Sequence, residues 1–353
     1  MQSFVYDQLP GRVVFGAGSL DSLAAEADRL GLSKLLVLST PGQVRLAELA
    51  AERLGQRAVG LHPHARMHVP VEAARAALAE ALRLGVDGAV AIGGGSTIGL
   101  GKAIALETGL PIIAVSTTYA GSEMTPIYGL TEGGAKKTGR DAKVLPRTVI
   151  YDPVLTLDLP VRASGPSGMN AIAHCAEALY AENANPVISL LAEEGIRALA
   201  HALPKIAASP RDLQARSDAL YGAWLAGVSL GAVGMALHHK LCHTLGGSFN
   251  LPHAEIHAIV LPHAIAYNRA AAPPAMARIA SALGADDAAD GLYDLAARLG
   301  APLALEEIGL KEQDLDQAAE IATRNPYYNP RPVGREGIRR LLDDAFHGRR
   351  PAA

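Results

Sequence analysis

The sequence predicts an α/β domain with a parallel sheet, followed by an all-helical domain. Strand-like and helix-like segments alternate through the first half of the chain, a cadence typical of a right-handed parallel sheet. The second half contains long apolar segments with helical periodicity. The length of 353 residues exceeds what one compact core usually serves. We therefore expect an α/β domain over residues 1–158 and a helical domain over residues 159–353.

The elements of the first half follow in order. A strand at 12–18 ends in a glycine turn, and Ser19 can cap a helix that runs to Gly31. The segment 34–40 is almost wholly apolar, so we expect a strand buried on both faces. A helix at 43–54, a strand at 58–61 and a helix from Pro70 come next. Strands at 88–93, 110–118 and 147–153 complete the sheet, with a polar hairpin before the last of them.

A glycine-rich turn, AIGGGST, gives the sharpest local signal of the first half. Three glycines after a buried strand allow a ligand to approach the backbone closely, at a helix start whose amides suit a phosphate. A tight turn without a ligand explains the same letters equally well, and the GxGxxG register is broken at Ile98. Small and hydroxyl residues at neighbouring strand ends extend this candidate cofactor site. Its residues are Ser39, Pro41, Gly93, Gly94, Gly95, Ser96, Ser116, Thr117 and Thr118.

No acidic residue follows the strand at 34–40, where a ribose hydroxyl is usually bound. The preference between NADH and NADPH is therefore left open.

Polar residues in the second half lie on otherwise apolar helices. Asn170, His174 and Glu177 share one face of a helix expected at 164–180. Longer helical runs begin at Pro186 and at Gln214, and the second of these is read as continuous to Gly247.

Half of the twelve histidines fall between residues 238 and 263. A Gly-Gly turn after His243 could bring His253 back beside His239 and His243, which share a helix face. Together with His174 they form a candidate metal or acid/base site. The remaining ones, His238, His257 and His263, are interpreted as lying on the surface, behind the site or at helix ends, and His201 as solvated.

The composition limits the classes of partner that the protein can bind. A net charge of −3 without a basic block argues against nucleic acid, and no apolar run reaches the roughly 20 residues of a membrane helix. Two cysteines and no signal-peptide pattern favour the cytoplasm. A cationic hairpin suits a small anion, although each cation taken singly is read more readily as solvated. It comprises Lys136, Lys137, Arg140 and Lys143.

Several of these segments together resemble one family. FVYDQLPGRVVFGAG, AIGGGSTIGLGKAIAL, STTYAGSEMTPIYGLTEGGAKKTGR, LPRTVIYDP and HHKLCHTLGGSFNLPHAEIHAIVLPH are similar to the iron-containing alcohol dehydrogenases, over nearly the whole chain. More narrowly, they resemble those members that reduce maleylacetate. The resemblance implies a Rossmann-like nucleotide-binding half, a helical half, and an active site in the cleft between them.

One position departs from the family pattern. Metal-dependent members have an aspartate four residues before the first histidine, where this chain has Asn170, while His174, His239 and His253 fit. A neutral amide is a poor ligand for a divalent cation. We expect no metal. If one is bound, its ligands are His174, His239 and His253.

The resemblance implies NADH- or NADPH-dependent reduction of the carbon–carbon double bond of maleylacetate to 3-oxoadipate, in aromatic-compound degradation. Protonated imidazoles could stabilise the enolate and supply the proton, with His243 as donor and His174, His239 and His253 as polarising or orienting groups. Hydrogen-bonding or cationic side chains are expected to bind the dicarboxylate: Asn170, Lys136, Lys137, Arg140, Tyr119, Tyr328 and Arg331.

Other functions stay open. They are a metal-dependent alcohol or polyol dehydrogenase, a lyase resembling dehydroquinate synthase that recycles its NAD, and a non-catalytic nucleotide sensor. A homodimer is the expected assembly, because most soluble oligomers are symmetric pairs.

Overall fold

The computed structural model describes residues 4, 6, 9, 11–133, 135–325 and 327–352, without the side chains of Ala135 and Lys136. The chain divides between Leu159 and Pro160 into two compact units. The part before this point is called the α/β unit below, and the part after it the helical unit.

The α/β unit is built on a six-stranded sheet of order β1-β8-β5-β4-β2-β3. All neighbouring strands in it are parallel. The strands of this sheet are β1 (Arg12–Phe15), β2 (Leu35–Leu38), β3 (Ala58–His62), β4 (Gly88–Gly93), β5 (Ile112–Ser116) and β8 (Thr148–Tyr151). Four helices connect them: α1 (Leu23–Arg29), α2 (Val44–Leu54), α3 (Val71–Leu84) and α4 (Gly95–Thr108). The predicted parallel α/β architecture is confirmed.

The core of the α/β unit follows from the apolar strands. Every residue of β2, β4, β5 and β8 is buried, as a parallel sheet covered by helices on both faces requires. The strand predicted to be buried on both faces is β2. The predicted polar hairpin is the antiparallel pair β6 (Ile127–Glu132) and β7 (Ala135–Arg140).

A buried lysine holds the connection that leads into this hairpin. Lys102, on α4, is 1% exposed and donates from Nζ to the carbonyl oxygens of Ser122, Thr125 and Ile127 at 2.7–2.8 Å. Burial lowers the pKa of the Lys102 ammonium to about 7. Ser122 O also accepts from Thr125 N and Thr125 Oγ1, but the ammonium ties all three carbonyls to α4 and so fixes the course of this segment.

The helical unit has mostly buried inner helices. Its elements are α5 (Val161–Ala178), α6 (Pro186–Ala208), α7 (Leu213–Ala232), α8 (Leu237–Phe249), α9 (His253–Asn268), α10 (Pro273–Leu283), α11 (Ala288–Arg298), α12 (Leu315–Thr323) and α13 (Arg335–Phe346). Helix α5 begins at Val161, three residues before the predicted start, directly after Pro160. The predicted all-helical character of this half is confirmed.

The run from Gln214 to Gly247 is not one helix, so the prediction of a continuous helix was wrong. Helix α7 ends at Ala232, α8 begins at Leu237, and their axes differ by 96°. Side chains from elsewhere accept the backbone hydrogens at the break. Asn183 Oδ1 accepts from Gly234 N at 2.9 Å, and a carboxylate of α5 accepts from Ala236 N. Apolar periodicity alone could not reveal these partners.

The turn that returns the chain towards His253 also differs from expectation. Gly246 and Gly247 lie inside α8, and the turn begins at Asn250, which has a left-handed φ of 53°. A Cβ on Gly246 would make only ordinary van der Waals contact with Ile256 of α9, at 3.6 Å. Among the described helices no single one is long and apolar enough to span a membrane, and only the bent pair α7 and α8 passes that test jointly.

Candidate active site

The predicted cofactor residues of the α/β unit meet at the carboxyl edge of its sheet. Thr117 N donates to Gly93 O at 3.1 Å, which joins the end of β5 to the end of β4. Helix α4 begins at Gly95 directly afterwards, so its first amides face this edge. The same edge holds the ends of β2 and β5, which deliver Ser39, Ser116, Thr117 and Thr118. Pro41 starts a one-turn helix after β2.

The glycine turn is packed too closely for a side chain at two of its three positions. A Cβ on Gly93 would lie 2.5 Å from Thr97 Oγ1, and one on Gly94 would lie 2.9 Å from Thr118 Cγ2. Gly93 also has a φ of 153°, which favours glycine. A Cβ on Gly95 would meet nothing within 4 Å, so the helix start is open. These features fit a phosphate of a dinucleotide.

Gln43 links the strand ends and is a residue that sequence reasoning missed. Its Nε2 donates to Thr117 Oγ1 at 3.0 Å, and its Oε1 accepts from Thr40 Oγ1 at 3.2 Å. The amide thereby connects the loop after β2 with the loop after β5. Its position three residues after Thr40, at the start of a predicted helix, was the only available signal.

The helical unit brings the clustered histidines around the buried carboxylate of Glu177. Glu177 Oε2 accepts from Ala236 N at 2.8 Å and from His239 Nδ1 at 2.7 Å. Its Oε1 accepts from His238 N at 2.7 Å. A carboxylate surrounded by donors can only accept, so His239 carries a hydrogen on Nδ1, and the neutral form of the ring leaves its Nε2 as an acceptor. Sequence reasoning placed Glu177 on the face of His174 but gave it no role.

The four predicted site histidines lie close together. The rings of His174 and His239 stack at a centroid distance of 5.0 Å, and the rings of His243 and His253 stack at 6.4 Å. The ring centroids of His239 and His243 are 6.3 Å apart. Helices α5, α8 and α9 therefore converge on one cluster, as their shared faces predicted.

Three buried atoms in this cluster have no hydrogen-bond partner in the described part of the chain. They are Asn170 Oδ1, His174 Nδ1 and His239 Nε2. Buried polar atoms are normally satisfied, so these three atoms are candidates for contacts with a bound molecule.

Desolvation keeps one of these imidazoles neutral. Burial lowers the pKa of His174 well below 6.5, and positive charge on His239, His253 or His243 would lower it further. The roles expected of His174, to polarise or to orient the reacting groups, stay predictions, and an uncharged ring suits the second of them. Neutral His174 can still orient a ligand through a hydrogen bond.

Two of the histidines expected on the surface, behind the site or at helix ends are fully buried. His238 and His257 have no exposed surface, and His238 Nε2 lies 2.8 Å from His257 Nδ1. His257 Nε2 in turn lies 3.2 Å from His253 Nε2. Of the three positions expected for these two, on the surface, behind the site or at a helix end, the structure agrees with the second, because both rings lie in the interior beside His253. His263 is also buried, whereas His201 is exposed as predicted.

Two of the cations predicted to bind the substrate contact other side chains of the protein, and the side chain of a third lies outside the described residues. Lys137 Nζ pairs with Glu132 Oε2 at 3.0 Å on the exposed hairpin, where Arg140 is also exposed. Arg331 stacks over the Tyr267 ring at 4.2 Å. The Lys136 side chain lies outside the described residues.

The predicted substrate tyrosines differ in exposure. Tyr119 is fully buried, and Tyr328 is 40% exposed. Neither is shown to join the histidine cluster.

Comparison with known proteins identifies the family. The profile described as iron-containing alcohol dehydrogenase matches residues 10–153, and the one described as Fe-containing alcohol dehydrogenase family, C-terminal, matches residues 165–346. The chain belongs to the iron-containing alcohol dehydrogenase family. This confirms the resemblance inferred from the motifs.

Similar members of the family have full-length matches. The chain is 62% identical to a maleylacetate reductase of Burkholderia cepacia, with 100% of each chain covered, and 57% identical to one of Sphingobium indicum, with 99% of each covered. A crystal structure of maleylacetate reductase from Agrobacterium tumefaciens superposes with a TM-score of 0.96 at 56% identity, covering 99% of this chain and 100% of that one.

The family is described as iron-containing, so membership does not support the expectation of a metal-free site. The donor set of this chain does not fit iron, however. Iron(II) sites of this kind combine histidines with a carboxylate, but Asn170 is neutral and both oxygens of Glu177 accept hydrogen bonds. In the described part of the chain, the group that brings three donor atoms within 4.8 Å of one another is His238, Cys242 and His257. The trio expected as ligands is a different one.

Proposed function

We propose that this protein reduces the carbon–carbon double bond of maleylacetate to give 3-oxoadipate, in aromatic-compound degradation. The single observation that carries the proposal is the 62% identity over the whole length to a maleylacetate reductase. The neutral, unpartnered donor set around Asn170 agrees with it, because an anionic substrate avoids a free carboxylate.

NADH or NADPH, which the glycine turn after β4 would hold, would supply the hydride that reduces the alkene carbon β to the ketone. The electron pair of the double bond moves onto the ketone oxygen as an enolate, and a proton then adds to the neighbouring carbon. His243 is proposed as the donor of that proton, because an imidazole titrates near neutrality and loses one proton at a time.

Four further side chains of the cluster are proposed to stabilise and orient the reacting groups. Asn170 and His174 hold the oxo-dicarboxylate by hydrogen bonds, and His253 donates towards the enolate. His239 presents an unprotonated Nε2 because Glu177 holds its Nδ1 hydrogen, so its proposed role is to accept a hydrogen bond. The cations Lys136, Lys137, Arg140 and Arg331 are proposed to attract the two carboxylates, and Tyr119 and Tyr328 to donate to them.

The dinucleotide is proposed to bind through the glycine turn and the strand ends around it. Gly94, Gly95 and Ser96 offer backbone amides to its phosphates, while Gln43 and Thr117 keep the loops in place. The loop after β2 has no acidic residue to repel a 2′-phosphate. We therefore propose that both NADH and NADPH are accepted.

The reaction is proposed to need no metal, since the chemistry requires a proton donor and an enolate-stabilising hydrogen bond rather than a Lewis acid. The test measures NADH oxidation with maleylacetate and with simple alcohols, before and after dialysis against a chelator. We expect turnover with maleylacetate that the chelator leaves unchanged. Turnover of alcohols with a stoichiometric, activity-linked metal would replace the proposal by an alcohol dehydrogenase, and the absence of net NADH consumption would point to the lyase.

The proton donor is tested by His243→Gln. We expect kcat to fall by at least about 100-fold, the usual contribution of a general acid, while NADH affinity measured by fluorescence titration stays within about twofold. The matched control is His201→Gln, an exposed helix position that should retain full activity. Undiminished turnover in His243→Gln would remove this residue from the mechanism.

The proposal includes a cytoplasmic homodimer. Light scattering coupled to gel filtration tests the assembly, and a mass of one chain would refute it.

A further inference from the structure

We propose that His257 and His238 form a positioning pair that fixes the tautomer and ring orientation of His253. The proposal rests on the proposed function insofar as it concerns turnover. Neither residue is assigned to the reaction above, and neither has any exposed surface. They are positioning residues, because they act on the substrate only through His253.

The geometry is an unbroken chain of ring nitrogens. His253 Nε2 lies 3.2 Å from His257 Nε2, and the other nitrogen of His257 lies 2.8 Å from His238 Nε2. Two of the ring pairs are nearly perpendicular, at interplanar angles of 76° and 62°. Each imidazole therefore directs its nitrogens into the next, in the manner of a hydrogen-bond relay.

A neutral imidazole carries one ring hydrogen, so the three tautomers depend on one another. If His238 Nε2 donates to His257 Nδ1, then His257 must donate from Nε2, and His253 Nε2 must accept. If His253 Nε2 donates instead, both buried rings must reverse. A change of tautomer at His253 thus requires two further changes in rings that have no access to water.

The buried pair is held in place by its own surroundings. His238 N donates to Glu177 Oε1 at 2.7 Å, and Cys242 Sγ lies 3.5 Å from His238 Nε2. The charged or titratable groups that face the pair are Glu177, Cys242, His174, His239, His243 and His253. This fixed frame removes the freedom of the His253 ring to turn.

The inner end of this series of ring nitrogens does not reach solvent. We therefore assign the His238–His257 pair a role in positioning His253 and not in conducting protons. The inner end is Cys242, fully buried, where burial raises the pKa of the thiol well above 9. Neither His238 nor His257 has any exposed surface through which it could exchange a proton with water. What remains for the pair is to orient His253.

The test compares His257→Leu with His257→Gln. Leucine removes both ring nitrogens, whereas glutamine keeps an amide that can donate or accept towards His253. We expect kcat with maleylacetate and NADH to fall by about 10–100-fold in His257→Leu, with KM changed less than threefold, and to recover in part in His257→Gln. The matched control is His263→Leu, which removes another buried imidazole from the same helix. The pKa of His263 depends on burial and on Asp344, not on the cluster.

A second readout does not depend on turnover. Two-bond nitrogen–proton correlation spectra of histidine-labelled protein report ring tautomers, and His253→Gln identifies the His253 signals. We expect one tautomer of His253 in the parent protein and a mixture in His257→Leu. If His257→Leu does not fold, His238→Gln is measured in its place, because it frees the same chain from the inner end.

The outcomes are distinct. An unchanged His253 tautomer, or unchanged kcat in folded His257→Leu, overturns the positioning proposal. A parent protein that does not turn over maleylacetate overturns the proposed function, and the spectra then still decide whether the pair fixes His253.

Discussion

Replacing Glu177 by glutamine exchanges a single carboxylate oxygen for an NH2 group and should disturb the whole histidine cluster. The carboxylate accepts from two backbone amides and from His239 Nδ1, at 2.7–2.8 Å. A glutamine of the same shape has only one acceptor oxygen. If its amide nitrogen replaces Oε2, it faces Ala236 N–H. If it replaces Oε1, it faces His238 N–H.

Either orientation leaves a buried backbone hydrogen without an acceptor, which costs roughly 1–3 kcal/mol. The remaining bonds change from charge-assisted to neutral, with a loss of about 1 kcal/mol. We expect the free energy of unfolding to fall by about 2–4 kcal/mol. An amide nitrogen beside His239 Nδ1 would also favour the opposite tautomer and place a hydrogen on the inward Nε2. The resulting fall in kcat should be about 10–100-fold.

Urea unfolding followed by circular dichroism measures the first effect, and NADH oxidation with maleylacetate measures the second. Glu182→Gln is the matched control, because Glu182 is exposed in the turn after the same helix. A Glu177→Gln protein with parental stability and parental kcat would refute the reasoning that the carboxylate sets the His239 tautomer.

Three further predictions concern other parts of the molecule. Burial lowers the pKa of His263 from 6.5 to about 4, so the native state takes up its proton later than the unfolded chain and stability falls as pH drops from 6.5 towards 4. His263→Gln should therefore flatten the urea stability profile by about 1.4 kcal/mol per pH unit in that window, and an unchanged slope would contradict the shift. Lys102→Met removes the donor shared by the carbonyl oxygens of Ser122, Thr125 and Ile127 and should lower the free energy of unfolding by about 2–4 kcal/mol, whereas exposed Lys143→Met should not change it. Thr40→Asp should reduce kcat/KM for NADPH by roughly tenfold more than for NADH, through repulsion of the 2′-phosphate; equal losses would mean that this loop does not face the ribose.

Periodicity and composition were sufficient for the fold because they act locally. The apolar strand at Leu35–Leu38 and the glycine turn after β4 each predict their own conformation, and the sheet follows from their alternation. The break between α7 and α8 could not be predicted in this way. It depends on Glu177 and Asn183, which come from distant parts of the chain and accept hydrogens that the sequence leaves unassigned.

The candidate site shows the same division. The histidines and Asn170 were found from spacing and from family resemblance. The sequence could not show how deeply each of these residues is buried. Burial lowers the pKa of His174, which keeps its ring neutral. His238 and His257 lie in the interior behind His253 rather than on the surface. Gln43 was missed because a single amide after a turn has no pattern, and only the contact between two loops reveals its use.

The bend between α7 and α8 has a consequence for how the protein folds. The hydrogen bonds that Glu177 accepts at this bend join residues 59 to 62 positions apart in the chain. Contacts of such separation form only after the intervening chain has been ordered, so they should appear late in refolding. The histidine motif looks local in the printed sequence, yet a fragment that begins after α5 would retain every histidine of α8 and α9 while losing the carboxylate that aligns them. Refolding enzyme should thus regain its helices before it regains turnover.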